Sequence, residues 1–309
     1  MFDSPLSASA YEVLAVAPDA TEDDLRRAYR LRLRQTHPDT GGDAALFVQV
    51  QRAWDLVGTA EARAIYDRGH GFAAEQVSFA PESAMWRPPG RPVDTRPRAR
   101  SFGQPGGWRR ERYLTLMREW VGRGVALDDP YDPALVRTAP RELRRMLADA
   151  LAEEATARIV GDLGMGFTVW HDVAADAHDP NAKLDHVVLG PSGLYAVLSE
   201  DFGGPVRTRR GELIGDDVVG APVAQLVARA RTLARAARVT FGGVIVVLPD
   251  DDVVLAIEEL GKVRGLPVAV VGRSALSTVL RRGLSGARDI GGNELFDVRT
   301  RLQQSVRFV

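Results

Sequence analysis

The chain has 309 residues, 45% of them hydrophobic and 7% aromatic, which suits a soluble globular protein of two or three units, each able to bury its own core. A formal net charge of −1 excludes a global field that draws the chain to nucleic acid or a membrane surface, so any such attraction has to be local. With no cysteine, disulfides, thiolate metal sites and a cysteine nucleophile are excluded together.

The first residues, MFDSPLSASAYEVL, hold no basic leader and no sustained apolar segment, so they do not read as a signal peptide. Later apolar runs such as GGVIVVLP are far shorter than the ~20 residues a spanning helix needs. A cytoplasmic protein without a membrane partner is therefore expected. At residues 21–24, TEDD forms a capping box, in which the Thr21 hydroxyl can accept a backbone N–H and the Asp24 carboxylate can reach back. A helix should start at Leu25, with Leu25, Ala28, Tyr29 and Leu33 on one apolar stripe, and Pro38 should end it. A second helix is predicted from about Asp43, with Phe47, Val50, Trp54 and Val57 on one face. The short turn between them favours antiparallel packing.

The first of these helices is basic. Arg26, Arg30 and Arg34 share a face, Arg27 is adjacent, and Arg32 lies elsewhere on the cylinder. Residues 1–70 carry eight arginines against eleven acids, yet residues 25–35 hold five arginines and no acid. A solvated helix face is the bland explanation. An acidic domain that gathers its positive charge on one helix fits better a surface that meets an acidic partner.

Residues 72–107 lose all periodicity and read as a Pro/Gly/Arg-rich linker. Between residues 86 and 112 there are eight arginines against Asp94 and Glu111. Such a run can track a phosphate backbone, but a solvated tether is the preferred reading over nucleic-acid binding. Helical periodicity returns in RRERYLTLMREWV and in PRELRRMLADALAEEATARIVGDL, where Pro140 suits a helix start. Strands follow: FTVWHDV, LDHVVLG, GLYAVLS, GGVIVVLP and PVAVVG, with PVAQLVARARTLARAAR as an intervening helix. Gly190-Pro191-Ser192-Gly193 should turn a hairpin. Most of HDVAADAHDPNAKLDH, with His171, His178 and His186, reads as a polar hairpin loop. The C-terminal half is thus expected to be an α/β domain with a mixed sheet and flanking helices.

Residues ~9–69 resemble a J domain, the module by which co-chaperones engage DnaK-type chaperones. AYEVLAVAPDATEDDLRRAYR matches its first helix, loop and second helix, His37-Pro38-Asp39 its signature turn, FVQVQRAWDLV its third helix and EARAIYDRG its short fourth. A lone His-Pro-Asp is a weak signal; in register with two helices and a capping box it is a strong one. The resemblance implies docking through Arg26, Arg27, Arg30, Arg34, His37, Pro38 and Asp39, and stimulation of the partner's ATP hydrolysis. Pro38 restricts the turn, Asp39 offers a carboxylate to a partner arginine, and His37 a compact donor. The family usually has leucine where Arg32 stands, and Leu33 or Leu31 has to compensate.

Residues ~150–250 resemble the nuclease-related domain, a branch of the restriction-endonuclease-like fold, through EEATARIVGDL, KLDHVVLGPSGLYAVLSED, PVAQLVARARTLA and GGVIVVL. An active member implies a helix glutamate, an aspartate on the first hairpin strand and an acid-x-lysine pair on the second, together holding Mg²⁺. Glu153 or Glu154 matches the first and Asp185 the second. Leu198 and Glu200 stand where the acid and the lysine belong, so the motif is degenerate and neither hydrolysis, a metal nor another cofactor is expected. The chain therefore reads as multidomain: an all-α J domain at residues 1–71, the linker at 72–107, and a helical lead-in with an α/β nuclease-like domain at 108–309. The favoured function is a co-chaperone for a DnaK-type chaperone, acting on an unidentified client, with the C-terminal domain as adaptor or scaffold. The alternative is a metal-dependent nuclease or DNA-binding protein regulated through a J domain.

Overall fold

A computed structural model describes residues 4–6, 9–38, 42–70, 97–122, 124–176 and 179–309. The N-terminal unit has four helices, α1 (Ala10–Leu14), α2 (Glu22–Thr36), α3 (Ala44–Val57) and α4 (Ala60–His70). Ser9 caps α1 in a reciprocal box: its side chain accepts from the Glu12 N–H, and the Glu12 carboxylate accepts from the Ser9 N–H at 2.6 Å. α2 starts at Glu22, three residues before the first apolar position, because Thr21 is its N-cap. The Asp24 carboxylate returns to the Thr21 hydroxyl at 2.6 Å rather than to the backbone.

α2 and α3 form the expected antiparallel hairpin, shown by Tyr29 stacked on Trp54 with ring centroids 4.5 Å apart and His37 edge-on to Phe47 at 5.0 Å. Their apolar stripes close over Tyr11, Leu14, Leu25, Val50, Ala53, Val57 and Tyr66. Burying each of the larger side chains contributes roughly 1.5–3 kcal/mol. Of the two candidates to replace the usual leucine at position 32, Leu33 packs against this core, while Leu31 is 50% exposed. α4 is tied back by the Tyr66 hydroxyl, which accepts from the buried Ala10 N–H at 2.8 Å.

In the C-terminal unit, β1 (Arg100–Phe102) precedes α5 (Gly107–Val121), α6 (Pro133–Thr138) and α7 (Arg141–Gly161). Then come β2 (Thr168–Asp176), β3 (Asp179–Gly190), β4 (Gly193–Ser199), the small hairpin β5 (Arg207–Arg209) and β6 (Glu212–Ile214), and α8 (Pro222–Ala237). β7 (Gly243–Leu248), β8 (Ile257–Val263), β9 (Leu266–Gly272), α9 (Leu276–Arg282) and α10 (Gly292–Ser305) complete it. The sheet order is β1-β2-β3-β4-β7-β9-β8. β2, β3 and β4 form an antiparallel meander, β7 and β9 run parallel to β4, and β8 returns antiparallel at the edge. Gly190 pairs with Gly193 across the two-residue turn foreseen there.

The sheet is covered on both faces. Leu194, Ala196 and Leu198 of β4 and Val244, Val246 and Leu248 of β7 point to α8 and α10, whereas Tyr195, Val197, Ile245 and Val247 point to α7 and α9. α5, α6 and α7 enclose a smaller core around Tyr113, Met117, Leu143 and Leu147, which accounts for the helices after residue 107.

Two expectations need correction here. The end of the stretch read as linker, residues 97–107, belongs to the α/β unit: β1 pairs in parallel with β2 at Thr168, Val169 and Trp170, and the Ala99 N–H donates to the Gly161 carbonyl at 2.9 Å. The three residues Arg100, Ser101 and Phe102 are too few to give a strand signal of their own; the neighbouring strand supplies the order. The polar loop at 171–186 is in fact strand on both sides, because β2 and β3 stay paired through Ala174 with Lys183 to Asp176 with Asp179. His178 and the greater part of the linker lie outside the described residues. No helix among the described residues is long and apolar enough to cross a membrane.

Candidate functional site

The first candidate surface is α2 and the turn after it. Arg26, Arg27, Arg30 and Arg34 are all exposed in the full chain. Arg26 pairs with Glu22 at 2.5 Å and Arg27 with Asp24 at 3.4 Å, so the first-turn acids of the same helix offset part of the positive face. Exposed pairs of this kind contribute about 0–1 kcal/mol and release their arginines readily to a better partner. His37 is the C-cap of α2, half-buried against Phe47, and its carbonyl accepts from the Gly42 N–H at 3.0 Å. Pro38 follows it, exposed. Asp39 lies outside the described residues.

The second candidate is a buried charge cluster on the α7 side of the sheet. Trp170 and Val173 on β2, three residues apart, both enter the core beneath α8, as do Leu184 and Val187 on β3. The strands therefore change face between those positions, with Asp172 in the left-handed region at φ +50°. The change leaves His171 with Asp172, and Asp185 with His186, turned toward α7, where an undistorted strand turns only one residue of each pair.

Lys183 is 3% exposed, and its ammonium lies 2.7 Å from both Glu153 oxygens, 2.5 Å from Asp172 and 2.9 Å from Asp185. Arg109, from the start of α5, reaches Glu153 at 2.5 Å, Asp149 at 2.6 Å and Glu200 at 3.1 Å. Arg145 adds a second contact to Glu200 at 3.1 Å. Backbone donors complete the shell: Gly106 N–H to Glu153, Trp108 N–H to Asp172 and Ser199 N–H to Asp185. Gly106 sits at φ +69°, and a Cβ there would meet the Ala150 carbonyl at 2.8 Å, so the approach of α5 requires glycine.

Five carboxylates thus face three cations. Burial, aided by Asp185, pushes the Glu153 carboxyl up to about 8, and burial with Glu200 beside it raises Asp149. Burial would raise Asp185 as well, but Lys183 and Arg109 outweigh it and hold that group at about 2. Burial pulls the Lys183 ammonium down, while Asp185 and Glu153 more than offset this and keep it above its ordinary value. Beside the cluster runs a chain of side chains: Ser101 Oγ to His171 Nε2 at 2.8 Å, His171 Nδ1 to His186 Nδ1 at 2.7 Å, and His186 Nε2 to Ser199 Oγ at 3.2 Å. Burial lowers both histidines, His171 to about 4, so both rings are neutral at pH 7 and share one proton between their Nδ1 atoms.

Of the residues singled out from sequence, Glu153 and Asp185 do meet in this cluster. Glu154 does not; it pairs with Arg110. Leu198 points to the opposite face and packs in the core beneath α8. Glu200 is drawn to Arg109 and Arg145. Sequence reading missed Lys183, Asp172, Asp149 and Arg109. The spacing Lys183-x-Asp185 on a strand and Arg145, Asp149, Glu153 at four-residue steps on a helix are the signals that could have found most of them. Arg109 and Arg110 are engaged internally with Glu153 and Glu154, while Arg98 pairs with Asp162 at 3.1 Å on the surface.

The donor set does not fit Mg²⁺. That ion asks for oxygens at about 2.0–2.1 Å in octahedral order, but the centre of the cluster is taken by a nitrogen, β4 offers leucine, and Glu200 is held by two guanidinium groups.

Comparison with known proteins bears on the first candidate. Residues 9–67 match the family model for the DnaJ domain, and this part of the chain is a J domain. Similar proteins include a DnaJ protein homolog of Cucumis sativus, 41% identical over 58 residues, which make up 19% of this chain and 14% of that protein. The chaperone protein DnaJ of Nitratidesulfovibrio vulgaris (strain DSM 19637 / Miyazaki F) is 40% identical over 85 residues, 23% of each chain. That of Oleidesulfovibrio alaskensis is 45% identical over 65 residues, 19% of this chain and 17% of the other. The chain spans less than a quarter of the length of these curated relatives.

Proposed function

We propose that the chain is a J-domain co-chaperone that docks on a DnaK-type chaperone through α2 and the His37-Pro38-Asp39 turn, stimulates its ATP hydrolysis, and uses its C-terminal domain as a non-catalytic adaptor for an unidentified client in the cytoplasm. One observation carries the reading: the J-domain match falls on an antiparallel hairpin whose basic helix, exposed on its arginine face, ends at His37 and Pro38. Exposed guanidinium groups beside a proline-restricted turn suit capture by an acidic surface, since little order remains to be imposed on docking. The adaptor role is supported by the enclosure of the carboxylates behind Arg109 and Lys183 and by the apolar residue at 198. The restriction-endonuclease-like assignment draws support from the succession α7, the β2–β3–β4 meander, α8 and the parallel β7. A pull-down with immobilised chain should retain a DnaK-type chaperone in ATP, and His37→Gln should abolish retention while the far-UV circular dichroism stays unchanged. Equal retention by both proteins would refute the docking site.

The nuclease reading has one observation in its favour. An ammonium does stand among the carboxylates, supplied by Lys183 on β3 in place of the lysine missing at position 200. On that reading the chain cleaves nucleic acid with Mg²⁺ and Asp185→Ala abolishes cleavage; no cleavage by the wild type dismisses it.

A further inference from the structure

Resting on the reading of the C-terminal domain as non-catalytic, we infer that its carboxylate cluster is a cation site filled by the protein itself, with the Lys183 ammonium standing where a divalent cation would bind and Arg109 closing the entrance. Four oxygens from Glu153, Asp172 and Asp185 surround Nζ within 2.9 Å. These carboxylates come from α7, β2 and β3, so the structure brings them together in spite of their mutual repulsion. The Lys183 ammonium in the middle offsets that repulsion.

The remaining approaches are occupied from within. Arg109 takes the other side of Glu153, and Gly106 and Trp108 at the start of α5 donate their N–H groups to Glu153 and Asp172. Asp185 Oδ1 differs: it accepts no hydrogen bond, and the Lys183 ammonium lies 2.9 Å from it. Removing that ammonium leaves a buried, bare carboxylate oxygen aimed into the space of a lysine side chain, between two further carboxylates. Among the described residues no three His, Asp or Glu side chains are arranged to hold a metal ion, as follows if the nitrogen sets their positions. A short neutral side chain at 183 is what converts them into a site for an oxygen-seeking divalent cation.

The test is calorimetric titration of Mn²⁺ into the full chain as wild type, Asp185→Asn, Lys183→Ala and Lys183→Ala/Asp185→Asn, with folding followed by circular dichroism. Lys183→Ala should gain one saturable Mn²⁺ site that disappears on adding Asp185→Asn, while wild type and Asp185→Asn behave alike. Mn²⁺ binding by the wild type that Asp185→Asn abolishes overturns the inference, and so does a folded Lys183→Ala that binds none. Should Lys183→Ala not fold, Lys183→Ala/Asp172→Asn, which loses one cation and one anion together, takes its place with the same two outcomes. The non-catalytic reading fails separately, by Mn²⁺-dependent cleavage of nucleic acid; binding without cleavage overturns only the assignment of Lys183.

Discussion

Replacing Lys183 with methionine keeps most of the side chain's volume and deletes its charge. Glu153 and Asp185 are 0% exposed, and Asp172 is buried as well, so three carboxylates lose their shared counter-ion in a place water does not reach. Breaking a buried ion pair by removing one partner costs about 3–5 kcal/mol. For a unit of this size that corresponds to a fall in Tm of roughly 10 °C at pH 7, at about 2–4 °C per kcal/mol. The loss should shrink on acidification, because without the ammonium the carboxyls take up protons at higher pH in the folded state than they do in the wild type. Asp172→Asn added to Lys183→Met should restore part of the stability, with a coupling of about 1 kcal/mol or more. Scanning calorimetry of the wild type, Lys183→Met, Asp172→Asn and the double variant between pH 5 and pH 8 reads all of this. A Tm within about 2 °C of wild type, independent of pH, would refute the claim that the ammonium holds the cluster together.

His171, held neutral by burial at about 4 against an ordinary 6.5, takes up protons in the unfolded chain first, so stability should fall as pH drops from about 6.5 to about 4, by on the order of 3 kcal/mol from this residue alone. Glu153 acts in the opposite sense between 4.5 and about 8, so the check is the difference in denaturant midpoint between wild type and His171→Asn, which should narrow toward pH 4. In the J domain, Tyr66→Phe leaves the Ala10 N–H buried without its acceptor and should destabilise by about 1–3 kcal/mol, measured by urea unfolding.

The J domain was largely legible in the sequence because its signals are local. Thr21 caps the helix that follows it, Leu25, Tyr29 and Leu33 repeat at helical steps, and the turn at 37–39 separates two such stripes. The long strands were legible for a similar reason: GLYAVLS and GGVIVVLP are buried on both faces and admit few polar residues. β8 escaped because an exposed edge strand tolerates the charges of IEELGKV, and β1 because its order is borrowed from β2. The charge cluster was the hardest part. Lysine, aspartate and histidine inside paired strands look like loop composition, and what makes them burial-competent lies far away in the chain: Glu153 is 30 positions from Lys183, and Arg109 is 44 positions from Glu153. Leu198 packs on the far face of the sheet and Glu200 is held by two arginines, while the lysine among the carboxylates comes from β3 and not from β4, where the resemblance directs the search.

The co-chaperone claim meets its most direct test in single-turnover ATP hydrolysis by a DnaK-type chaperone from the same cell, with the full chain added at increasing concentration. The proposed function predicts a saturable acceleration that His37→Gln removes and Asp185→Asn leaves intact. An unchanged rate with the wild-type chain, or an acceleration that His37→Gln retains, would contradict it.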